Sequence, residues 1–130
     1  MNNSYVTDTM ALVLILENRK LPQTVKNIFR DAETNNSTLL IPAIALAEIG
    51  YLYEKGRIDT CLHDVKKYCE ANQMIVVEPI TEEIVIRCFE IDDIPELHDR
   101  IIAATGYSKN LHIITNDPVI SESRHVSVIW

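Results

Sequence analysis

Short runs of branched apolar residues alternate along this chain with longer stretches whose apolar positions recur every three or four residues. The first pattern predicts strands and the second predicts helices. Residues 5–7 (YVT) are the first expected strand, and it stops at Asp8. Residues 10–17 read as a helix, and a second opens at Pro22, where a fixed φ suits the first helical turn. Val25, Ile28, Phe29 and Ala32 share one face of that second helix. Asn35, Asn36 and Ser37 break it, and 38–41 is a short strand. Pro42 opens a helix of good formers over 43–55, stopped by Gly56. Asp59 is the expected cap of the next helix, which runs to about Asn72, and 74–77 is an expected buried strand. Thr81 caps a helix with Glu82 and Glu83 in its first turn, where negative charge meets unpaired N–H groups. A helix over 97–109 ends at Asn110, and 111–115 and 126–130 complete the series as strands.

Such alternation predicts an α/β fold with a mostly parallel central sheet and helices on both faces. In sheets of that kind, ligands gather beyond the carboxyl ends of the strands. Asp8 and Asp117 both follow expected strands, at that kind of end.

Composition narrows the class. With 130 residues and 47% hydrophobic content, the chain holds enough apolar material for one domain, 1–130, whose core needs no staples. Cys61, Cys69 and Cys88 have neither the even count of a disulfide framework nor the paired spacing of a zinc site, so reduced thiols are expected. The apolar run 10–16 is short, preceded by Asp8 and closed by Glu17, which fits neither an export signal nor a membrane span. A soluble cytoplasmic protein is the expectation. The formal charge of −7 excludes a broad basic footprint for nucleic acid. Contact with such a partner is confined to a local groove edged by Arg19, Lys20, Arg100 or Lys109, or relies on bound cations that reverse the local field.

Candidate chemistry rests on carboxylates. Ile41, Ala45, Glu48, Ile49 and Leu52 lie on one helical face, so Glu48 interrupts an apolar stripe. A glutamate there is costly unless something neutralises or ligates it. Asp99 has Ile102, Ala103 and Gly106 at i+3, i+4 and i+7, which aims it into a packed seam. Taken singly, each acid has an ordinary alternative. Glu48 suits a boundary position leaning to solvent, Asp99 suits a first-turn cap, and Asp8 and Asp117 suit turns or caps. Together they suggest convergence on a hard cation such as Mg²⁺ or Mn²⁺, because clustered carboxylates either share protons or bind one.

Four stretches carry a family resemblance: YVTDTMALV, IPAIALAEIGYL, HDRIIAATGYSKNLHIITND and the terminal VSVIW. In that order they resemble the PIN domain, and within it the VapC-type toxin ribonucleases of prokaryotic toxin–antitoxin pairs. The resemblance implies a three-layer α/β/α sandwich and a metal-dependent endoribonuclease site. It matches the family's acidic positions to Asp8, Glu48, Asp99 and Asp117, and its small polar residues near the metal to Thr9, Thr115 and Asn116. Gly106 departs from it, standing where alanine is frequent.

The implied reaction is hydrolysis of an RNA phosphodiester by water activated at one or two bound Mg²⁺ or Mn²⁺ ions, leaving a 5′-phosphate and a 3′-hydroxyl. The implied partners are RNA, an antitoxin protein and a second copy of the chain, with no membrane. His98 beside Asp99 is a weak candidate for a general base, since neighbouring helix positions face different ways. His63, His112 and His125 lack metal spacing and read as surface or structural residues. Arg100 fits either a phosphate contact or a surface ion pair. Tyr51, Tyr53 and Tyr107 offer stacking on bases, although core packing is the preferred reading of all three. The rival function is a non-catalytic interaction module that acts through dimerisation and antitoxin or partner binding. A receiver domain is disfavoured by the lack of an acidic pair after the first strand. A haloacid-dehalogenase-type phosphatase fails because Met10 stands where its second aspartate belongs.

Overall fold

The structure, a computed structural model, describes residues 3–130. The branched apolar runs become strands because residues on both their faces find apolar cover. In chain order the elements are β1 (Asn3–Thr7), α1 (Thr9–Leu16), α2 (Gln23–Glu33), β2 (Ser37–Pro42), α3 (Ala43–Glu54) and α4 (Leu62–Ala71). There follow β3 (Ile75–Glu78), α5 (Glu82–Cys88), α6 (Leu97–Lys109), β4 (His112–Ile114), α7 (Pro118–Ser121) and β5 (Val128–Ile129). All the pairings are parallel, and the strands lie side by side in the order β3-β2-β1-β4-β5.

Alternation along each strand divides the interior into two cores, which makes the molecule an α/β/α sandwich. Tyr5, Leu39, Ile41 and Ile114 face one side and pack with apolar residues of α1, α2, α3 and α4. Val6, Leu40 and Ile113 face the other and pack with residues of α5, α6 and α7. Helix α1 (TMALVLIL) is apolar all round and has no polar face, as expected of a helix wedged among other elements. Gly56 (φ 69°) and Asn110 (φ 55°) take the left-handed conformation that ends α3 and α6, as their positions predict.

Several expectations give way. Strand β3 is an edge strand, and Val76 and Val77 are 38% and 40% exposed while Ile75 is 1% exposed, so 74–77 is not buried throughout. Asp59 does not cap α4. Cys61 takes the cap position, and the Asp64 carboxylate accepts from its N–H at 3.0 Å. The Asp59 N–H instead donates to the carboxylate of Glu17 at 3.0 Å, which also accepts from the Thr60 N–H and hydroxyl. Four donors, counting Arg19, hold the Glu17 carboxyl below its usual range against the upward pull of desolvation. Of the two alternatives open for Asp117, a turn or a helix cap, the cap is observed, with Pro118 opening the short helix α7.

Gly106 explains its own departure from the family pattern. A Cβ there would fall 2.6 Å from Ile113 Cγ1 and 3.1 Å from the Leu111 carbonyl oxygen. Helix α6 thus lies against β4 at a separation that only glycine permits. Gly106→Ala should gain up to about 1 kcal/mol in helix propensity and lose about 1–3 kcal/mol to overpacking. A net destabilisation in urea denaturation is expected.

Candidate active site

Strand order fixes where a site forms. From β1 the chain moves one way to β2 and β3, and β4 then joins the other side of β1. The sheet's switch point therefore lies between β1 and β4, and a crevice opens beyond their carboxyl ends. Asp8 follows β1 there, and its N–H donates to the Ile114 carbonyl of β4 at 3.0 Å. Asp117 lies three residues past the end of β4.

Both aspartates are caps, as their ordinary reading allowed, yet capping engages only part of each carboxylate. Asp8 Oδ1 accepts from the Ala11 N–H at 2.8 Å, and Oδ2 accepts from the Thr115 hydroxyl at 2.6 Å. Asp117 Oδ1 accepts from the N–H groups of Val119 and Ile120 at 2.8 and 3.3 Å. The Asp117 N–H in turn donates to Thr115 Oγ1 at 3.0 Å, so one buried hydroxyl joins the two strand ends. Thr115→Val keeps the shape and removes both bonds, leaving a buried carboxylate oxygen without its donor. A loss of about 2 kcal/mol is expected in urea denaturation.

Glu48 comes in from the second turn of α3, between buried Ala45 and Ile49, and Thr9 donates to its Oε1 at 2.5 Å. Thr9 belongs to α1, directly after Asp8, so this bond ties α3 to the end of β1. Asp99 sits in the first turn of α6 and receives no cap duty. Glu96 is the cap, accepting from the Asp99 N–H at 2.8 Å, which leaves the Asp99 side chain free of that role. Ile102, Ala103 and Gly106 are buried beneath it as their spacing predicts. Asn116 is exposed between Thr115 and Asp117.

The acids lie near enough to repel one another. Burial chiefly pushes Asp8 up to about 6, against the Thr115 and Ala11 donors, with repulsion from Asp117 and Glu48 adding to it. Burial also leads for Asp99, pushed up to about 6, and repulsion from Asp117, Glu96 and Glu48 follows. The four acids are nevertheless arranged as an open crevice rather than a closed cage, since no three of them bring ligand atoms within 4.8 Å of one another. Among the described residues only Asp92, Asp93 and His125 do so. Those three are already paired: His125 Nε2 lies 2.9 Å from Asp92, while Ser123 and the Arg124 N–H each donate to Asp93 at 2.8 Å. They staple the loop before α6 to the segment before β5. The His125 bond first of all, and for Asp93 the Arg124 N–H, hold the two carboxyls below their usual range.

Other sequence candidates are reassigned. Arg100 forms no surface ion pair: its Nε donates to the Ile94 carbonyl and its guanidinium lies 5.8 Å from the Phe89 ring. His98 pairs with Glu96 at 2.8 Å. Tyr51 and Tyr53 are not core residues, being 55% and 51% exposed, whereas Tyr107 is partly buried against the second core. Lys109 is engaged with Glu78 at 2.9 Å, and Arg19 with Glu17 at 3.3 Å.

A parallel three-layer sandwich with acids gathered at its switch point defines a recognisable class of domain. The chain belongs to the PIN domain family, whose sequence profile matches residues 5–125. No curated protein sequence matches it. Solved structures share its fold. VapBC2 from Rickettsia felis bound to a promoter DNA fragment has a TM-score of 0.73 at 18% identity, covering 98% of each chain. A toxin–antitoxin complex from Klebsiella pneumoniae has a TM-score of 0.66 at 19% identity, covering 97% of this chain and 96% of that one. VapC20 from Mycobacterium tuberculosis, a sarcin–ricin loop cleaving toxin, has a TM-score of 0.63 at 14% identity, covering 95% and 98%. Among the described residues no helix is long and apolar enough to cross a membrane.

Proposed function

We propose that this PIN-family chain is a divalent-metal-dependent endoribonuclease that hydrolyses RNA phosphodiester bonds, serving as the toxin of a type II toxin–antitoxin pair. One observation carries the reading. Asp8, Glu48, Asp99 and Asp117 gather at the sheet's switch point, where burial first, and repulsion among the acids in addition, lifts both Asp8 and Asp99 to about 6. The donor set is carboxylate oxygen throughout, which suits a small hard cation that keeps several waters. Asp8, Asp99 and Asp117, with Glu48 directly or through water, are the residues that would hold Mg²⁺ or Mn²⁺. When bound, the cation supplies Lewis acidity toward phosphate and acidifies water. Thr9 fixes the Glu48 carboxylate, and Thr115 sets the position of Asp8 relative to the Asp117 backbone.

Purified protein incubated with mixed cellular RNA should cleave it in Mg²⁺ or Mn²⁺ and stop in chelator. Cleavage that continues in chelator removes the metal-dependent reading.

Partner binding is supported by surfaces away from the acids. An open apolar groove of about 680 Å³ runs between α3, α4 and the edge strand β3, lined by Leu46, Leu62, Val65, Cys69, Ile75 and Val76 among others. It offers an antitoxin segment a docking face. Val85, Ile86, Phe89 and Leu97 are 43%, 55%, 68% and 51% exposed, and they supply a surface for self-association into a homodimer. A single monomeric species in sedimentation would dismiss the homodimer. These surfaces also favour the second reading, a module that acts through partners alone, and the chelator experiment separates the two.

A further inference from the structure

A second cavity, of about 570 Å³, adjoins the acid crevice and is lined by Ile44, Ala47, Glu48, Tyr51, Leu52 and His98. Glu48 belongs to both, so whatever occupies the cavity is next to the reacting phosphate. Tyr51 projects from the helix turn after Glu48 with more than half of its surface open. Lys55 follows one turn later, its Nζ 5.4 Å from the centre of the Tyr51 ring. Positions 48, 51 and 55 share a face of α3 and its C-cap.

We propose that this cavity seats the nucleobase adjoining the scissile phosphate, stacked on Tyr51, with Lys55 meeting the next phosphate along the strand. The inference rests on the ribonuclease reading and adds a substrate subsite to it. The charge layout selects the occupant. At one end is Glu48, beside the other acids suited to a cation that binds phosphate. Aliphatic side chains and the Tyr51 ring line the rest, and Lys55 lies over that ring beyond the lining residues. An unpaired nucleotide within a strand has the matching order: phosphate, apolar ring, phosphate. The volume falls within the roughly 300–1,000 Å³ of ordinary ligand pockets. A chain with a net charge of −7 gains little from general attraction to RNA, so stacking carries more of its affinity. The base must be unstacked to enter, which selects single-stranded or looped RNA over duplex.

The test uses short fluorescein-labelled single-stranded oligoribonucleotides with Mg²⁺ or Mn²⁺. Tyr51→Ala should raise KM about tenfold, the loss of one base–aromatic stack, and leave kcat within a small factor. Tyr51→Phe and Tyr51→Trp should restore KM, since both keep a ring. An oligonucleotide abasic at the nucleotide beside the cleaved bond should cost the wild-type chain the same factor and cost Tyr51→Ala nothing further. If Tyr51→Ala cleaves intact oligonucleotides with wild-type KM while Asp99→Asn is inactive, RNA cleavage stands and the subsite falls. If the wild-type chain cleaves no RNA with either cation, the ribonuclease reading falls and takes the subsite with it. Loss of self-association in Tyr51→Ala with RNA kinetics unchanged would assign the cavity to a second copy and overturn the proposal.

Discussion

Asp99→Asn and Asp117→Asn are each expected to lower divalent-dependent RNA cleavage by at least about a hundredfold. Substitutions one step removed from a metal cost about 10- to 100-fold, and a group that would touch the cation itself is worth no less. The two sites differ in what the exchange does to the fold. Asp117 caps α7 through Oδ1, and the asparagine oxygen can still accept from Val119 and Ile120. Asp99 holds no cap bond, because Glu96 has that duty, so Asp99→Asn removes charge at little structural cost. Both variants should therefore stay folded by circular dichroism and lose cleavage. Wild-type turnover in Asp99→Asn would place the reaction elsewhere on the molecule.

Removing the charge at Asp8 should make the metal-free protein more stable, in a manner set by pH. Asp8 is 8% exposed and its carboxyl is pushed from 3.8 to about 6, so the folded state holds the proton more tightly than the unfolded chain does. Between those two values the folded state binds more protons than the unfolded state, so stability falls as pH rises through that window. Below it the penalty is absent, and above it the penalty is complete. About two pKa units correspond to about 3 kcal/mol. Groups with lowered pKa, such as Glu17 and Asp93, push the other way, so the measurable quantity is the difference between Asp8→Asn and wild type. In chelator, urea denaturation should show that difference growing in favour of the variant from pH 4 to pH 7. Asparagine can still accept from Ala11 but replaces the oxygen that accepts from Thr115, so the pH dependence of the difference, rather than its size, reports the charge. Added Mn²⁺ should close the gap by stabilising only the wild type. A difference that does not change with pH would mean that Asp8 titrates as an ordinary carboxylate.

How far the chain announces this arrangement varies with the range of the interactions. Strands β1, β2 and β4 are legible because each is apolar on both faces, and the helices between them because of local caps and spacing. Glu48 and Asp99 stand out for the same reason, as acids on faces otherwise given to packing. Tertiary arrangement overrode local pattern elsewhere. The run 74–77 reads as buried, but the sheet order leaves β3 at an edge, where Val76 and Val77 meet solvent. Arg100 reads as a candidate for a surface ion pair, yet the loop before α6 engages its Nε through the Ile94 carbonyl. Tyr51 and Tyr53 lie on different sides of α3, and their positions along it say nothing of whether another element covers them. The staple of Asp92 and Asp93 with Arg124 and His125 joins positions more than thirty apart, so no local motif reveals it. The role of Thr115 was half legible: its place beside Asp117 is evident, while its bond to Asp8 depends on β4 lying next to β1.

The contact between α6 and β4 has a metrical consequence. Asp99 rides on the helix and Asp117 on the strand's exit, so the tight fit at Gly106 acts as a gauge for the mouth between them. Backbone, rather than mobile loops, calibrates that opening. Prising the seam apart by a single methyl should broaden the aperture and shift preference toward ions of greater radius, because magnesium demands short, regular distances where calcium tolerates longer ones. In Gly106→Ala, a fall in the ratio of Mg²⁺ to Ca²⁺ affinity would register that change in calibre.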